Sequence, residues 1–427
     1  MNNLLTVKIA CIPLLIFGLS GTPVTSPPGS FLLISDIHLS VDKTASYDKD
    51  PNDTNKELWD FTREKINEVL SGRGSLGKTK WKKPSFILFL GDMPLHKGDA
   101  ATTRKNDSIV MHDLREIAEK VHCPLLYVPG NNDSRKGDYF PFDPGIFGMD
   151  HPFENEWPMV GIDTTKGRPD GPRIIRGMGA GCYSAFPLGI GPGRNLRIIG
   201  INSVVFTPAY YMKDSHEQVQ SVADAELDCL QKQLRQADSL GQKVLVAMHV
   251  PPGFDGFKKS DMWDTNLRYH NGNKTMLNEF LDLVKQYHQI IVGMVGSHTH
   301  MDGIRKLYDA DHQFTSFMLS VPGIDPGHGN NPAFKLVTYD KNSFEWENAI
   351  TFYDPFYPAK TVQDWGDNAY GLRDQFSCPA GSSLRQCIGS LSDSLLEKGL
   401  LPVYKAKAPI TGKDAEEMHS SVNVRPD

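Results

Sequence analysis

The chain has 427 residues, enough for one large domain with additions or for two domains. Hydrophobic residues make up 39% and charged residues 22%, which allows a sizeable core and excludes wholesale disorder. Lys and Arg number 45 against 51 Asp and Glu, a formal charge of −6 with no basic run, so nothing points to a nucleic-acid polymer as partner.

Residues 1–26 read as an export signal. Lys8 precedes the apolar run Ile9 to Leu19, and the small residues Gly18, Ser20, Gly21 and Thr22 lie at its end. The run is too short to span a bilayer comfortably, and Pro13 argues against a buried helix. Cleavage is expected between about residues 20 and 27. That places the mature chain outside the cytoplasm, secreted, periplasmic or lysosomal, and no later stretch reads as a transmembrane segment. Loss of Cys11 leaves Cys123, Cys182, Cys229, Cys378 and Cys387. Cys378 and Cys387 flank a Pro-Ala-Gly-Ser-Ser turn and form the best candidate disulfide. Five is odd, so one thiol at least stays free or pairs between chains. Asn52, Asn106, Asn132 and Asn273 open N-x-S/T sequons.

Phe31 to Ser35 reads as a short buried strand, followed at once by Asp36-Ile37-His38. A helix is expected over about Lys56 to Leu70. Phe86 to Leu90 is a second strand ending in Gly91-Asp92, and a helix runs from about Asp107 to Val121. Leu125 to Val128 is a third strand, ending in Pro129-Gly130-Asn131-Asn132-Asp133. This β-α-β-α-β alternation with apolar strands predicts an α/β sheet covered on both faces. Arg135 to Pro192 has no clear periodicity and reads as a functional insertion. Strands follow at Leu196 to Ile201 and Val244 to Met248, with a helix between them over Ala223 to Leu240. The second of these strands ends in His249-Val250-Pro251-Pro252-Gly253. A helix over Thr275 to Tyr287 leads to the apolar run Ile290 to Met294, and that run ends in Val295-Gly296-Ser297-His298-Thr299-His300. Further strands are expected near 314–320, 333–339 and 344–352. Residues 356–427 read as a C-terminal region with one helix, Leu384 to Lys398, and a polar tail, packed on a domain of residues 27–355.

Five strand ends carry metal-ligand residue types: Asp36 and His38, Asp92, Asn131, His249, and His298 with His300. Ligand sites in open α/β sheets gather outside the carboxyl ends of strands, so these positions should converge. Seven oxygen and nitrogen donors suffice for two metals sharing one carboxylate. Two metals about 3.5–4 Å apart can bridge a water, lower its pKa and stabilise an in-line phosphoryl displacement. Taken singly, Asp36 or Asp92 would be an ordinary cap, Asn131 a turn residue and His249 a satisfied strand-end histidine.

The order D-x-H, GD, GN, H, H-x-H over residues 31–352 resembles the calcineurin-like metallophosphoesterases. The resemblance implies a four-layer α/β/β/α sandwich with a small helical C-terminal region. It implies Asp36, His38 and His300 on one metal, Asn131, His249 and His298 on the other, and Asp92 between them. Zinc is the first choice because histidines outnumber carboxylates, with iron or manganese also suited. The segments Gly91 to His96, Ala247 to Gly253 and Gly329 to Phe334 are further similar to the acid sphingomyelinase-like phosphodiesterases. Purple acid phosphatases place a tyrosine ligand shortly after the second block, where this chain has Met93-Pro94-Leu95.

The implied activity is hydrolysis of a small phosphate diester, of nucleotide or phospholipid head-group type, by a metal-bridged hydroxide. The alternatives are a phosphomonoesterase on the same site and a metal-loaded protein without catalysis. Relatives commonly carry a histidine where this chain has Asn132, and an amide cannot deliver a proton. His96, at the GDxPxH position, is the candidate general acid. The saposin-like lipid module of acid sphingomyelinase has no counterpart between the expected cleavage site and the first strand. Aromatic residues in the two insertions (Tyr139, Phe140, Phe142, Trp157, Tyr183, Phe254, Phe257, Trp263 and Tyr269) either stack on substrate or pack the insertions themselves.

Overall fold

Two sheets face each other through the strands that read as apolar runs. The computed structural model describes residues 28–427 except 44–46, 48, 50–51, 73, 77–78, 82, 135, 141–158, 161–171, 177–180, 193–194 and 212–214. The expected export signal, Phe142 and Trp157 lie outside the described residues.

In the first sheet the strand order is Ala369–Gly371, Trp346–Tyr353, Ala333–Tyr339, Gly29–Ile34, Ile87–Phe89, Leu125–Tyr127 and Met159–Val160. Its three consecutive strands Gly29–Ile34, Ile87–Phe89 and Leu125–Tyr127 are parallel. In the second sheet the order is Asn423–Val424, Gly303–Tyr308, Phe314–Ser320, Ile291–Gly296, Lys243–Ala247, Leu196–Gly200, Tyr183–Phe186 and Arg173–Arg176. Here the parallel set is Leu196–Gly200, Lys243–Ala247, Ile291–Gly296 and Phe314–Ser320.

Alternation along the second sheet divides the core. Leu245, Ala247, Val292 and Val295 point between the sheets, where they meet Phe31, Phe334 and Trp346. Val244, Val246, Ile291 and Met294 point outward, under the helices His216–Ser239 and Met276–Gln286. The helices Lys56–Leu70 and Ala100–Val121 pack on the outer face of the first sheet. Both faces of each central strand are therefore buried, which is why these strands are continuously apolar. The layers are α/β/β/α. Gly293 sets the spacing between sheets at one point: a Cβ there would lie 2.2 Å from the Trp346 indole.

Several boundaries differ from the sequence reading. The helix expected from Asp107 begins at Ala100, where the Asp99 side chain accepts from the Ala101 and Thr102 N–H groups. The helix expected from Ala223 begins at His216 behind the Ser215 cap. The two first turns, Ala-Ala-Thr-Thr and His-Glu-Gln-Val, hold few large apolar residues, so periodicity alone misses them. The helix expected over Leu384 to Lys398 is two helices, Leu384–Ser390 and Asp393–Leu400, because Ser392 starts a new one by capping Leu395 N–H. The stretch 135–192 holds the last two strands at one side of the second sheet, Tyr183–Phe186 and Arg173–Arg176, and the edge strand Met159–Val160 of the first. The tail after 400 forms a helix, Gly412–Ser421, and the edge strand Asn423–Val424. The chain after 355 thus completes an edge of each sheet.

Cys378 pairs with Cys387, and Cys182 with Cys229; Cys123 is free and buried. The Cys182–Cys229 bridge closes a separation of 47 residues and joins the start of the Tyr183–Phe186 strand to the His216–Ser239 helix, whereas Cys378–Cys387 closes 9. A longer closed loop removes more entropy from the unfolded chain. The double variant Cys182→Ser/Cys229→Ser should therefore lose about 3–4 kcal/mol in urea unfolding, and Cys378→Ser/Cys387→Ser less. Equal losses would show that the native surroundings, not loop length, set the contribution.

Candidate metal centre

The carboxyl ends of five parallel strands meet at the seam between the sheets, and the seven expected ligands lie there. Asp36 and His38 follow Gly29–Ile34, Asp92 follows Ile87–Phe89, and Asn131 follows Leu125–Tyr127. His249 follows Lys243–Ala247, and His298 and His300 follow Ile291–Gly296. Five of them hold left-handed backbone: Asp36 at φ 48°, His38 at 44°, Asp92 at 59°, His298 at 69° and His300 at 60°. Such residues cost of order 1–3 kcal/mol each and persist where the surroundings impose them, typically at functional sites.

Asp92 sits centrally. Its Oδ2 lies 3.5 Å from His38 Nε2 and 3.3 Å from His249 Nε2. Asp36 Oδ1 lies 3.6 Å from His300 Nε2 and 4.0 Å from His249 Nε2. His249 Nε2 is 3.0 Å from Asn131 Oδ1, while Asn131 Nδ2 donates to Asp138 and so turns the amide oxygen inward. Asp92, His249 and His298 offer ligand atoms within 4.8 Å of one another, as do Asp36, His38 and Asp92.

The Nδ1 sides of three rings face the protein. His38 Nδ1 is 2.9 Å from the Pro94 carbonyl and His249 Nδ1 is 2.6 Å from that of Leu90. His300 Nδ1 lies 3.3 Å from the Asp325 carbonyl. A hydrogen bond at Nδ1 leaves Nε2 as the free lone pair for a ligand. Both carboxylate oxygens of Asp36 and the Nε2 of His38 are buried without a hydrogen-bond partner. Orphaned acceptors of that kind, aimed at one point, suit divalent cations.

The charge balance agrees. Burial raises Asp36 to about 7, with Asp92 adding to the shift and His249 opposing it. Burial would also raise Asp92, but His249, His38 and the Asn132 N–H hold it well below the usual carboxylate range. Burial would lower His249, yet the Asp92 and Asp36 carboxylates raise it to about 9. The carboxylates thus draw positive charge into a site with no Lys or Arg among these partners.

Sequence reasoning missed four residues around this cluster. Asp133 Oδ2 accepts from Tyr127 OH, Gly130 N and Asp92 N, and its Oδ1 from Met93 N, locking the second block to the third. Its signal was present, since it ends the Gly130-Asn131-Asn132-Asp133 block. Asp53 Oδ1 holds His96 at 2.8 Å from Nδ1 and 3.0 Å from the backbone N–H. Asp325 Oδ2 is 3.5 Å from His300 Nδ1, and the His328 ring lies 4.3 Å from that of His300. These three sit in loops without periodicity. His96 stacks on His38 at 3.8 Å between centroids. Asn132 turns to Asp92, through its backbone N–H at 2.9 Å and its side-chain amide at 3.0 Å.

A cavity of about 490 Å³ opens from this cluster, lined near the cluster by Asp92, His96, Asn132 and His300 and farther out by Phe257 and the C-terminal residues Lys405 and Met418.

Residues 29–302 match the model of the calcineurin-like phosphoesterase family. The chain belongs to that family. It is accordingly a metal-dependent hydrolase of phosphoric esters, and members of the family use divalent metals. It is similar to acid sphingomyelinase-like phosphodiesterase 3b of Mus musculus, 23% identical over 388 residues that cover 83% of this chain and 77% of that one. It is also similar to a cyclic GMP-AMP phosphodiesterase of Bos taurus, 26% identical over 37% of this chain and 34% of that one. Among solved structures, PhoD aligns over 77% of this chain and 66% of its own with a TM-score of 0.42 and 9% identity.

Close backbone approach makes one glycine a test of the cluster. A Cβ on Gly130 would lie 2.0 Å from Asp92 Oδ1, whereas one on Gly412 meets nothing within 4 Å. Gly130→Ala should cost about 1–3 kcal/mol of stability and lower the bound-metal content measured by mass spectrometry, with Gly412→Ala unchanged. Full metal content in Gly130→Ala would mean that the Asp92 loop yields.

Proposed function

We propose that this family member is an exported phosphodiesterase that works through a dinuclear metal centre. The observation that carries the reading is the pair of buried, partnerless Asp36 oxygens facing histidine Nε2 atoms, with a cavity larger than a phosphate leading away. Asp36, His38 and His300 would hold one cation, Asn131, His249 and His298 the other, and Asp92 would be shared. Zinc suits the histidine-rich set best, ahead of iron or manganese. When bound, two divalent cations supply Lewis-acid charge to the phosphoryl oxygens and acidify a water.

The protein's own residues do the rest. Asn132 donates to both Asp92 carboxylate oxygens and Asp133 holds the Asp92 backbone N–H, so the side chain that would be shared is kept in place. His96, oriented by Asp53, faces the cavity and would give a proton to the leaving oxygen. A cavity of about 490 Å³ leaves room beside the phosphate for a second organic arm, which supports a diester of nucleotide or phospholipid head-group type over a monoester, as do the phosphodiesterase names of the relatives. Two disulfides, and the absence among the described residues of any helix long and apolar enough to cross a membrane, support an exported chain.

Hydrolysis of bis(p-nitrophenyl) phosphate beside p-nitrophenyl phosphate tests the reading. The diester should be cleaved faster, chelation should abolish the activity, zinc should restore it, and Asp92→Asn should remove it. A monoester preference would replace the reading with a phosphatase. No turnover by protein holding two metals would favour a binding protein in which Asn132 marks the loss of catalysis.

The role of His96 has its own signature. A nitrophenolate needs little help to leave and an alkoxide needs much. His96→Ala should slow an alkyl diester by about 10²-fold or more and the nitrophenyl ester far less. Equal losses on both would assign His96 to phosphate binding.

A further inference from the structure

The cavity beyond the metal cluster has one corner that neither the family blocks nor the proposed chemistry uses. His328 belongs to the loop between the Phe314–Ser320 and Ala333–Tyr339 strands. That loop is pinned: Gly323 N–H donates to the His300 carbonyl, Ile324 N–H to Ser35 and Asp325 N–H to Asp36. The Asn330 side-chain amide closes the turn by donating to the Gly323 and Asp325 carbonyls. His328 is thereby carried by the same backbone that holds Asp36 and His300. It lines the cavity, and no hydrogen bond to its ring nitrogens occurs among the described residues.

Phe257 faces it from the other side. Its ring centroid is 5.7 Å from that of His328 at an interplanar angle of 70°. Phe257 is 57% exposed, although most other phenylalanines here are buried, and it too lines the cavity. Its position is set rather than free. Phe257 N–H donates to Asp255 Oδ1, Lys413 Nζ lies 4.8 Å from its ring centroid, and a Cβ on the neighbouring Gly256 would lie 2.2 Å from the Glu417 carbonyl. The two rings therefore form a fixed corner with an unused imidazole N–H and an exposed apolar face, next to a centre that handles phosphoric esters.

We propose that His328 and Phe257 form the subsite for the organic arm that stays on the phosphate, with His328 hydrogen-bonding that arm and Phe257 covering its planar or apolar face. This rests on the phosphodiesterase reading. A group attached to a phosphate at Asp92 and His300 is within reach of this corner, because the His328 ring lies 4.3 Å from that of His300 and both line the same cavity. The subsite therefore favours diesters with an extended arm of planar or apolar character over those with a small alkyl arm.

Two diesters with the same leaving group isolate the arm: methyl p-nitrophenyl phosphate and bis(p-nitrophenyl) phosphate, with the zinc-loaded full chain. Phe257→Ala and His328→Ala should each lower kcat/KM for the bis-aryl ester about tenfold, chiefly through KM, and change the methyl ester by less than about twofold. His328→Gln, which keeps a donor, should recover most of the loss. Bound metal should equal that of the wild type in every variant. Equal losses on both esters, or loss of metal, would move His328 to the metal centre and overturn the proposal. So would unchanged kinetics on both. If the wild type cleaves neither diester, the phosphodiesterase reading fails first and takes the subsite with it; if it cleaves both and the variants do not discriminate, only the subsite fails.

Discussion

Two buried carboxylates with no lysine or arginine among their partners are the constraint on which this molecule turns. Asp36 and Asp92 lie in the seam between two sheets, where desolvation of a lone carboxylate costs far more than any single hydrogen bond returns. Of the histidines around them, His249 is raised to about 9 by the two carboxylates, whereas burial holds His38, His298 and His300 below the usual imidazole range. The fold tolerates the arrangement because hydrogen bonds outside the cluster hold each ring and because the strand ends impose left-handed backbone on five of the seven residues. The strain is spread over short loops between rigid strands. A cation placed at the centre would relieve the electrostatic cost, so bound metal should contribute to stability as well as to chemistry.

The C-terminal region belongs to the same economy of support. Asp302 follows His300 by two residues and is fully buried. Its Oδ2 accepts from Lys335 Nζ at 2.7 Å, Thr351 Oγ1 at 2.6 Å and Tyr370 OH at 2.6 Å, and its N–H donates to the Tyr404 carbonyl. Lys335 and Thr351 come from the first sheet, and Tyr370 and Tyr404 from beyond residue 355. A buried ion pair of this kind seldom adds much stability, but breaking it leaves an uncompensated charge. It therefore fixes where the His298–His300 loop sits relative to both sheets. The C-terminal residues also line the outer cavity, so one segment both braces the His298–His300 loop and shapes the cavity wall.

The convergence of these seven residues was legible because they end apolar strands, and an apolar run is the strongest local signal a sequence carries. The four-layer architecture followed from the same runs. What stayed hidden has three physical causes. Edge strands of two or three residues, such as Asn423–Val424 and Ala369–Gly371, are too short for any period to register. First turns poor in large apolar residues hid the true starts of the helices at Ala100 and His216, although the caps Asp99 and Ser215 were visible. The partners Asp53, Asp325 and His328 reach the site only through tertiary contact, from loops whose composition says turn and nothing more. Of the aromatic residues noted in the insertions, Tyr183 and Trp263 are core, while Phe257 is exposed at the cavity mouth. Sequence could not separate these cases, because burial decides them.

Asn132 gains a structural meaning from its surroundings. Its amide and its backbone N–H donate to the two Asp92 carboxylate oxygens, while Asp133 holds the Asp92 backbone N–H. The substitution exchanges a group that could move a proton for one that can only orient. The site then has its remaining cavity-facing imidazoles, His96 and His328, on the side of His38 and His300, with ring centroids 6.4 Å apart. His96 is tied to Asp53, and His328 has no such partner among the described residues. Two imidazoles in one cavity with unlike tethers suit unlike tasks, and the proposed division gives proton transfer to the carboxylate-bound ring and leaves the untethered ring to a ligand.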